Sequence, residues 1–466
     1  MIRGEAGAPT PRTGAARILS DVDRSLRAVL LGTFTLRFST GLTGSMLAFY
    51  LAHLHEHGGP HVNGLLVGLY AALFYLAELV LSPLFGILSD RYGHHRVMLF
   101  GPIFGAVAVI LTGFTATFIL LGGTLVLLGA TRILEGASSA ASVPSILGFI
   151  AFATAGNEVL RGKTAARFEG ATLAGLALGA IVGGKLFEYF NNLGVGEVAF
   201  YINALIYGVS FLIYKFGVKD PAGDADAAAG EHVRISRYLE LIRTSHVWLL
   251  APTWIAINAA IGVWLSQSFF QLAKGDARFP DQALMAGFTV NQITIAAIVV
   301  AILFGAGLLY WGNRFKSLRR TTIIGYGVMG GAALVLAGLV VNHLWTVLPV
   351  VAVAAALVAG VGLFVLAGAT PAAIGLLADM SERFPSDRGA IMGLYSVFLA
   401  LGQITGSLIG GVAADWRGID GMFIATLILL GIAVVPLSQL RAQEHQLDAG
   451  GLGSGDAGQI SSGAAT

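Results

Sequence analysis

Two arginines, Arg37 and Arg132, stand inside apolar runs of the chain, and three glutamates, Glu78, Glu135 and Glu169, share such runs. An arginine at mid-membrane depth costs about 2.5–3.5 kcal/mol on insertion scales, so each needs an acidic partner or a water-filled cavity. Arg132 and Glu135 are one helical turn apart and fall on one face. A carboxylate that shares a pocket with an arginine can lose or regain its proton according to what shields the pair, which is the chemistry of proton-coupled transport. Glu135 is the first acid for that role, Glu78 the second, and Glu169, nearer the basic loop that carries Arg167, the third. For each, the competing role is a static ion pair that only holds helices together. Arg132 also suits direct substrate contact, and Arg37 suits a headgroup, an anion or a carboxylate partner.

The elements that must position these residues are legible in composition. The chain has 466 residues, 56% hydrophobic and 12% charged, with a mean hydropathy of +0.78, more apolar surface than one water-soluble core hides. Apolar runs of about 20 residues, the length of one bilayer crossing, fall near 27–52, 65–88, 97–118, 121–147, 165–187, 198–216, 247–270, 286–311, 321–342, 347–377, 389–414 and 420–438. This predicts an all-α membrane protein of twelve helices in two six-helix bundles, residues 25–216 and 247–440, joined by a polar linker at 217–246. Residues 1–24 and 441–466, the latter rich in Gly, Ser and Ala, are expected to remain disordered. No cleaved signal peptide is expected. Arg and Lys crowd the loops after the even-numbered spans, among them Arg91, Arg96, Arg161, Lys163, Lys219, Arg314, Lys316 and Arg388, which predicts cytosolic termini. A net charge of +2, dispersed along the chain, excludes nucleic acid as a partner, and the absence of cysteine excludes disulfides and thiolate chemistry.

An internal repeat supports the two-bundle reading. Residues 144–184 align without a gap on 371–411, pairing Pro144 with Pro371, Gly148 with Gly375, Arg161 with Arg388, Gly175 with Gly402, Gly179 with Gly406, Gly183 with Gly410 and Gly184 with Gly411. Two related halves of membrane helices are the architecture of a secondary transporter.

The turn after the second span reads Gly86-Ile-Leu-Ser-Asp90-Arg91-Tyr-Gly93-His-His-Arg96. It resembles the motif between helices 2 and 3 of the major facilitator superfamily, with His94 and His95 departing from the family's basic pattern. Gly86 permits close helix approach, Gly93 a tight turn, Asp90 can hold a helix N-terminus, and Arg91 and Arg96 anchor the cytosolic side. Arg132-Ile-Leu-Glu135-Gly136 is similar to an R-x-x-x-G motif of proton-coupled members, and Gly175-x3-Gly179-Ala180-x2-Gly183-Gly184 to a motif of antiporters that carries proline where Ala180 stands. The same glycines also fit plain helix packing, since a small residue at every fourth position lines one face. The resemblance, to drug:proton antiporters in particular, implies alternating access, helices 1, 4, 7 and 10 lining a cavity, and a monomer.

Charge is lopsided: Arg37, Glu78, Arg132, Glu135 and Glu169 lie in the first half, whereas spans 7, 8, 10 and 11 offer amides and aromatics, Trp254, Asn258, Trp264, Gln267, Asn291, Gln292 and Gln403. A polar half facing an aromatic one suits an amphiphile better than a sugar. The expected function is proton-coupled export of a small amphiphilic or lipophilic compound, a lipid or glycolipid flippase included. The alternatives are an uptake symporter for a small anion or nutrient and a non-transporting scaffold. No phosphate-cradling loop or H-E-x-x-H is present, so no enzyme and no cofactor is expected. The loop His53-Leu-His55-Glu56-His57-Gly-Gly-Pro-His61 is read as solvated, not as a metal site. The alanine- and glycine-rich composition suggests a bacterial inner membrane.

Overall fold

A computed structural model of the chain describes residues 11–117, 123–155, 157–219, 247–314, 318–382 and 388–455. Among these residues every regular element is a helix. The order is α1 (Pro11–His53), α2 (Gly64–Tyr92), α3 (His94–Met98), α4 (Phe100–Thr117), α5 (Thr124–Ala153), α6 (Glu158–Asn192), α7 (Glu197–Gly217), α8 (Val247–Lys274), α9 (Val290–Gly312), α10 (Arg320–Leu344), α11 (Pro349–Leu366), α12 (Ala369–Glu382) and α13 (Arg388–Gly455).

Ten stretches among the described residues are long and apolar enough to cross a membrane. Their outer faces carry Val350, Leu309 and Val126 at 82%, 76% and 75% exposure, a surface that only lipid solvates cheaply. The last stretch, Ser396–Ala442, has 47 residues, and Arg417 (φ −144°, ψ 31°) and Gly418 (φ 57°, ψ −141°) divide it into two legs. Gly418 takes a left-handed φ that a side chain disfavours, which fixes the break close to the expected gap between 414 and 420. The helix α1, diluted by Ser, Thr, Gly and Arg37, is not among the ten. The expected twelve crossings therefore require α1 and the second leg of α13 in addition to the rest.

Three expectations differ from the structure. The run 347–377, expected to be one helix, is broken at Ala367–Gly368 between α11 and α12. Pro371 supplies no N–H to the Ala367 carbonyl and its ring crowds that position. Trp311 packs into the bend, its indole Nε1 donating to the Phe364 carbonyl at 3.1 Å and its ring lying beside Gly368. The ends also differ, since α1 is helical from Pro11 and α13 continues to Gly455, where helix-forming Ala, Arg, Leu and Gln extend helices already packed further in. Residues 220–246 of the expected linker and 456–466 of the tail lie outside the described residues.

The chain divides into two compact units, Met1–His61 with Leu73–Glu231, and Val62–Ala72 with His232–Thr466. The start of α2 belongs with the second unit. Within unit 1, α1 packs on α6 and α7, and α4 on α5 and α7; within unit 2, α8 packs on α13, and α10 on α11 and α13. The repeated glycines make the matching pairs. A Cβ at Gly175 would lie 2.7 Å from the Phe34 carbonyl oxygen and 2.9 Å from Arg37 Cβ, and one at Gly183 2.6 Å from the Leu42 carbonyl oxygen. In the twin, a Cβ at Gly402 would lie 2.5 Å from Asn258 Cβ, and one at Gly410 2.9 Å from Val263 Cα.

The start of α2 is held inside unit 2. Asp415 accepts the Gly64 N–H at 2.6 Å and the Leu65 N–H at 2.8 Å, while Gln267 Nε2 donates to the Gly64 carbonyl at 2.9 Å. A carboxylate there satisfies helix-end donors and complements the helix dipole. Replacing Asp415 with Ala is expected to lower stability by about 0.5–2 kcal/mol, and Asp415→Asn by less because one acceptor remains. Thermal unfolding of the three proteins in detergent checks the order.

Candidate functional site

The buried charges of unit 1 are assembled mainly by α5. Arg132, Glu135 and Ser139 recur at helical spacing along its buried face. Arg132 and Glu135 are 5% and 3% exposed, and Arg132 Nη1 donates to Glu135 Oε2 in a short contact. Glu135 is held further by Tyr207 of α7, whose hydroxyl donates to Oε1 at 3.4 Å, and by Thr43 of α1. Asn203 fixes Thr43 in turn, donating to its hydroxyl oxygen at 2.9 Å and to the Ser39 carbonyl at 3.0 Å. Arg132 Nε and Nη2 are buried and have no hydrogen-bond partner among the described residues. A buried guanidinium with two open donors is an acceptor site.

A second chain of contacts lies beside it. Arg37 of α1 donates from Nη1 to Ser139 Oγ at 3.0 Å, and Ser139 donates to Glu78 Oε1 of α2 at 2.6 Å. A hydroxyl thus links the arginine and the acid. Gly175 of α6 lets Arg37 approach closely, and Glu169, on the same helix but exposed, is within electrostatic reach of Arg37. Arg37, Arg132, Glu78, Glu135 and Glu169 thus belong to one unit, four of them joined into two short networks on α5.

The residues of the second half are placed differently. Trp254 is 1% exposed in the core of unit 2, and Asn258 donates to its carbonyl at 2.8 Å. Gln403 Nε2 donates to the Asn258 carbonyl at 3.4 Å, and Gln267 serves the start of α2. Trp264 donates to Thr426 Oγ1 at 2.9 Å and lies 4.8 Å, centroid to centroid, from Phe423. Gln292 closes a capping box with Thr289 at the start of α9, where Asn291 is exposed.

In the turn after α2, Gly93 has φ 94°, so its lack of a side chain is what permits α3 to start there. A Cβ at Gly86 would be in ordinary contact with Pro144 at 3.9 Å, Gly184 is buried on α6, and Asp90, Arg91 and Arg96 are exposed. His94 and His95 are anchored, on Ser89 Oγ at 3.2 Å and on the Tyr214 carbonyl at 3.0 Å. In the histidine loop the His55 and His61 rings stack and His53 pairs with Glu56 at 3.2 Å. Among the described residues, those side chains do not bring three ligand atoms together.

Sequence reading missed Ser139, Tyr207, Thr43 and Asn203. The stripe Ser138, Ser139, Ser142 and Ser145 along α5 is the signal for the first, because hydroxyls on a buried face of an apolar helix seek partners across it. The other three sit singly in apolar runs.

Comparison with known proteins agrees with this architecture. The model of the Major Facilitator Superfamily matches residues 29–381. Multidrug resistance protein 2 of Bacillus subtilis (strain 168) is 23% identical over 361 residues, 76% of this chain and 81% of that protein. The class B tetracycline resistance protein of Escherichia coli is 24% identical over 402 residues, 82% of this chain and 89% of that protein. Among solved structures, that of the nucleoside transporter NupG superposes with a TM-score of 0.64 at 14% identity, covering 90% of this chain and 98% of that one, a likeness of fold. With its apolar helices, its repeated halves and a family model matched over most of its length, the chain is an integral membrane transporter, not an enzyme, and belongs to the Major Facilitator Superfamily.

Proposed function

We propose that the protein exports a small amphiphilic or lipophilic compound in exchange for protons, exposing the Arg132–Glu135 site alternately to the two sides of the membrane. The observation that carries this is the buried Arg132–Glu135 pair, held by Tyr207 and Thr43, with Arg132 Nε and Nη2 still open. A proton arriving on Glu135 releases its hold on Arg132, and an amphiphile that engages the Glu135 carboxylate excludes that proton, so proton and substrate compete for one carboxylate. Arg37, Ser139 and Glu78 form the adjoining path on which a proton can be relayed. The multidrug and tetracycline resistance relatives support efflux of such compounds. The termini are cytosolic in this reading, the protein is monomeric, and it sits in a bacterial inner membrane with α1 and both legs of α13 completing twelve crossings.

The open donors of Arg132 favour one second reading, uptake of a small anion together with protons. Purified protein in lipid vesicles with an internal pH dye separates the two. Amphiphilic cations, neutral lipophiles, lysolipids and organic anions are added singly. Protons moving against an amphiphile are expected. Protons moving with an organic anion would replace export by symport, a response to lysolipids alone would make the protein a lipid flippase, and silence across the panel would remove the coupling.

A further inference from the structure

Away from the charges of α5, one end of unit 2 gathers a carboxylate, an imidazole and a second carboxylate from three elements distant in sequence. Asp281 lies in the loop between α8 and α9, His343 in the last turn of α10, and Asp420 just past the break at Arg417–Gly418 of α13. One ligand atom from each lies within 4.8 Å of the others. His343 Nε2 is 2.9 Å from Asp420 Oδ2, and its Nδ1 is 3.7 Å from Asp281 Oδ2. Asp420 is 5% exposed at its side chain and fixed by hydrogen bonds, whereas Asp281 is 60% exposed.

We propose that Asp281, His343 and Asp420 form a binding site for a divalent transition-metal ion of the zinc class. One imidazole with two carboxylates is a donor set that zinc accepts, with water in the fourth place. Ligand atoms around a tetrahedral zinc stand about 3.3 Å apart, so the observed spacing needs a small closure, which the exposed Asp281 can make. The ion takes the place of the proton that His343 Nε2 shares with Asp420.

The surroundings orient the buried ligand. Asn342 donates from Nδ2 to Asp420 Oδ1 at 2.9 Å, and Asn342 is itself fixed by the Leu284 N–H, which donates to its Oδ1 at 2.8 Å. Gln282 accepts the Asp420 N–H at 3.2 Å and donates to the Arg417 carbonyl at 3.0 Å. Two carboxylates with a neutral imidazole balance a dication. Arg417 Nε, 3.9 Å from Asp420 Oδ2, opposes it, but that side chain is 57% exposed and can swing into solvent. Asp276, in the same loop, is committed to Arg278, which holds its carboxyl below the usual range. A bound ion ties the α8–α9 loop, α10 and the second leg of α13 together across the break.

The test is calorimetric titration of zinc chloride into the full chain in detergent, freed of any affinity tag, with cobalt absorption reporting tetrahedral geometry. One saturable site per chain is expected, with affinity weakened roughly tenfold or more in both His343→Gln and Asp281→Asn, and retained when His53, His55, His57 and His61 are all replaced by Gln. Asp281→Asn alters an exposed side chain and guards against a folding defect in the histidine variant, and metal-free unfolding temperatures check both. Absence of saturable uptake, loss only in the loop variant, or an Asp281→Asn protein that binds like wild type would each overturn the site.

Discussion

Glu135→Gln is expected to abolish substrate-driven proton movement in vesicles. The amide preserves shape and can still meet Tyr207 and Thr43, but it cannot carry the proton. It also leaves the Arg132 guanidinium buried without its countercharge, and breaking a buried ion pair from one side costs about 3–5 kcal/mol. A loss of transport in the single variant therefore mixes chemistry with stability. The double variant Arg132→Gln/Glu135→Gln separates them, since it removes both charges and is expected to recover much of the unfolding temperature while remaining uncoupled. Retention of wild-type proton coupling by the double variant would reduce the pair to a structural tie and shift the proton path to Glu78 and Ser139.

Gly179→Ala is expected to cost more than any other single methyl group discussed above. The added Cβ would collide with the Phe38 carbonyl oxygen and lie 2.9 Å from Leu42 N, both backbone atoms of α1 that cannot turn aside. The helices α1 and α6 must then separate along the face that Gly175 and Gly183 share. Overpacking of this kind costs about 1–3 kcal/mol, and a leucine at the same position is expected to prevent recovery of a folded monodisperse protein. The repeat supplies a twin, because Gly406→Ala would place its Cβ against the Ala259 carbonyl, 2.8 Å from the carbonyl carbon. Gly208→Ala is the control. Nothing lies within 4 Å of a Cβ there, and the change is expected to raise stability by up to about 1 kcal/mol through helix propensity. Unfolding temperatures and gel filtration compare the three, and a Gly179→Ala protein as stable as the control would refute the close packing.

What could be read in the chain divides by range. Glycine at every fourth position is a local pattern, so a close-packing face on α6 and on the first leg of α13 is visible in the letters, though not the helix it meets. Charge in an apolar run is equally plain, and it singles out Arg37, Arg132 and Glu135. Partners are not local. Arg37 meets the hydroxyl of Ser139, 102 positions away, and that serine resembles the other serines of its helix until α1 and α2 are packed against it. The same holds for Asp281, His343 and Asp420, each unremarkable in its own segment. The break before α12 shows an intermediate case: Pro371 was visible, yet its repeat partner Pro144 lies inside an unbroken α5, so proline alone does not decide whether a helix parts.

The fastening of α2 by Asp415 and Gln267 bears on how the polypeptide can be divided. A gene cut at residues 220–246 yields two products that match the repeat but not the units, because Val62–Ala72 would be translated with the first product and packs with the second. The second product made alone would present an unoccupied seat at Gln267, Ser407, Gly411 and Asp415, where the N-terminal turns of α2 normally rest. Complementation of the two fragments would then depend on delivery of those turns, and a short peptide spanning them could compete for the seat.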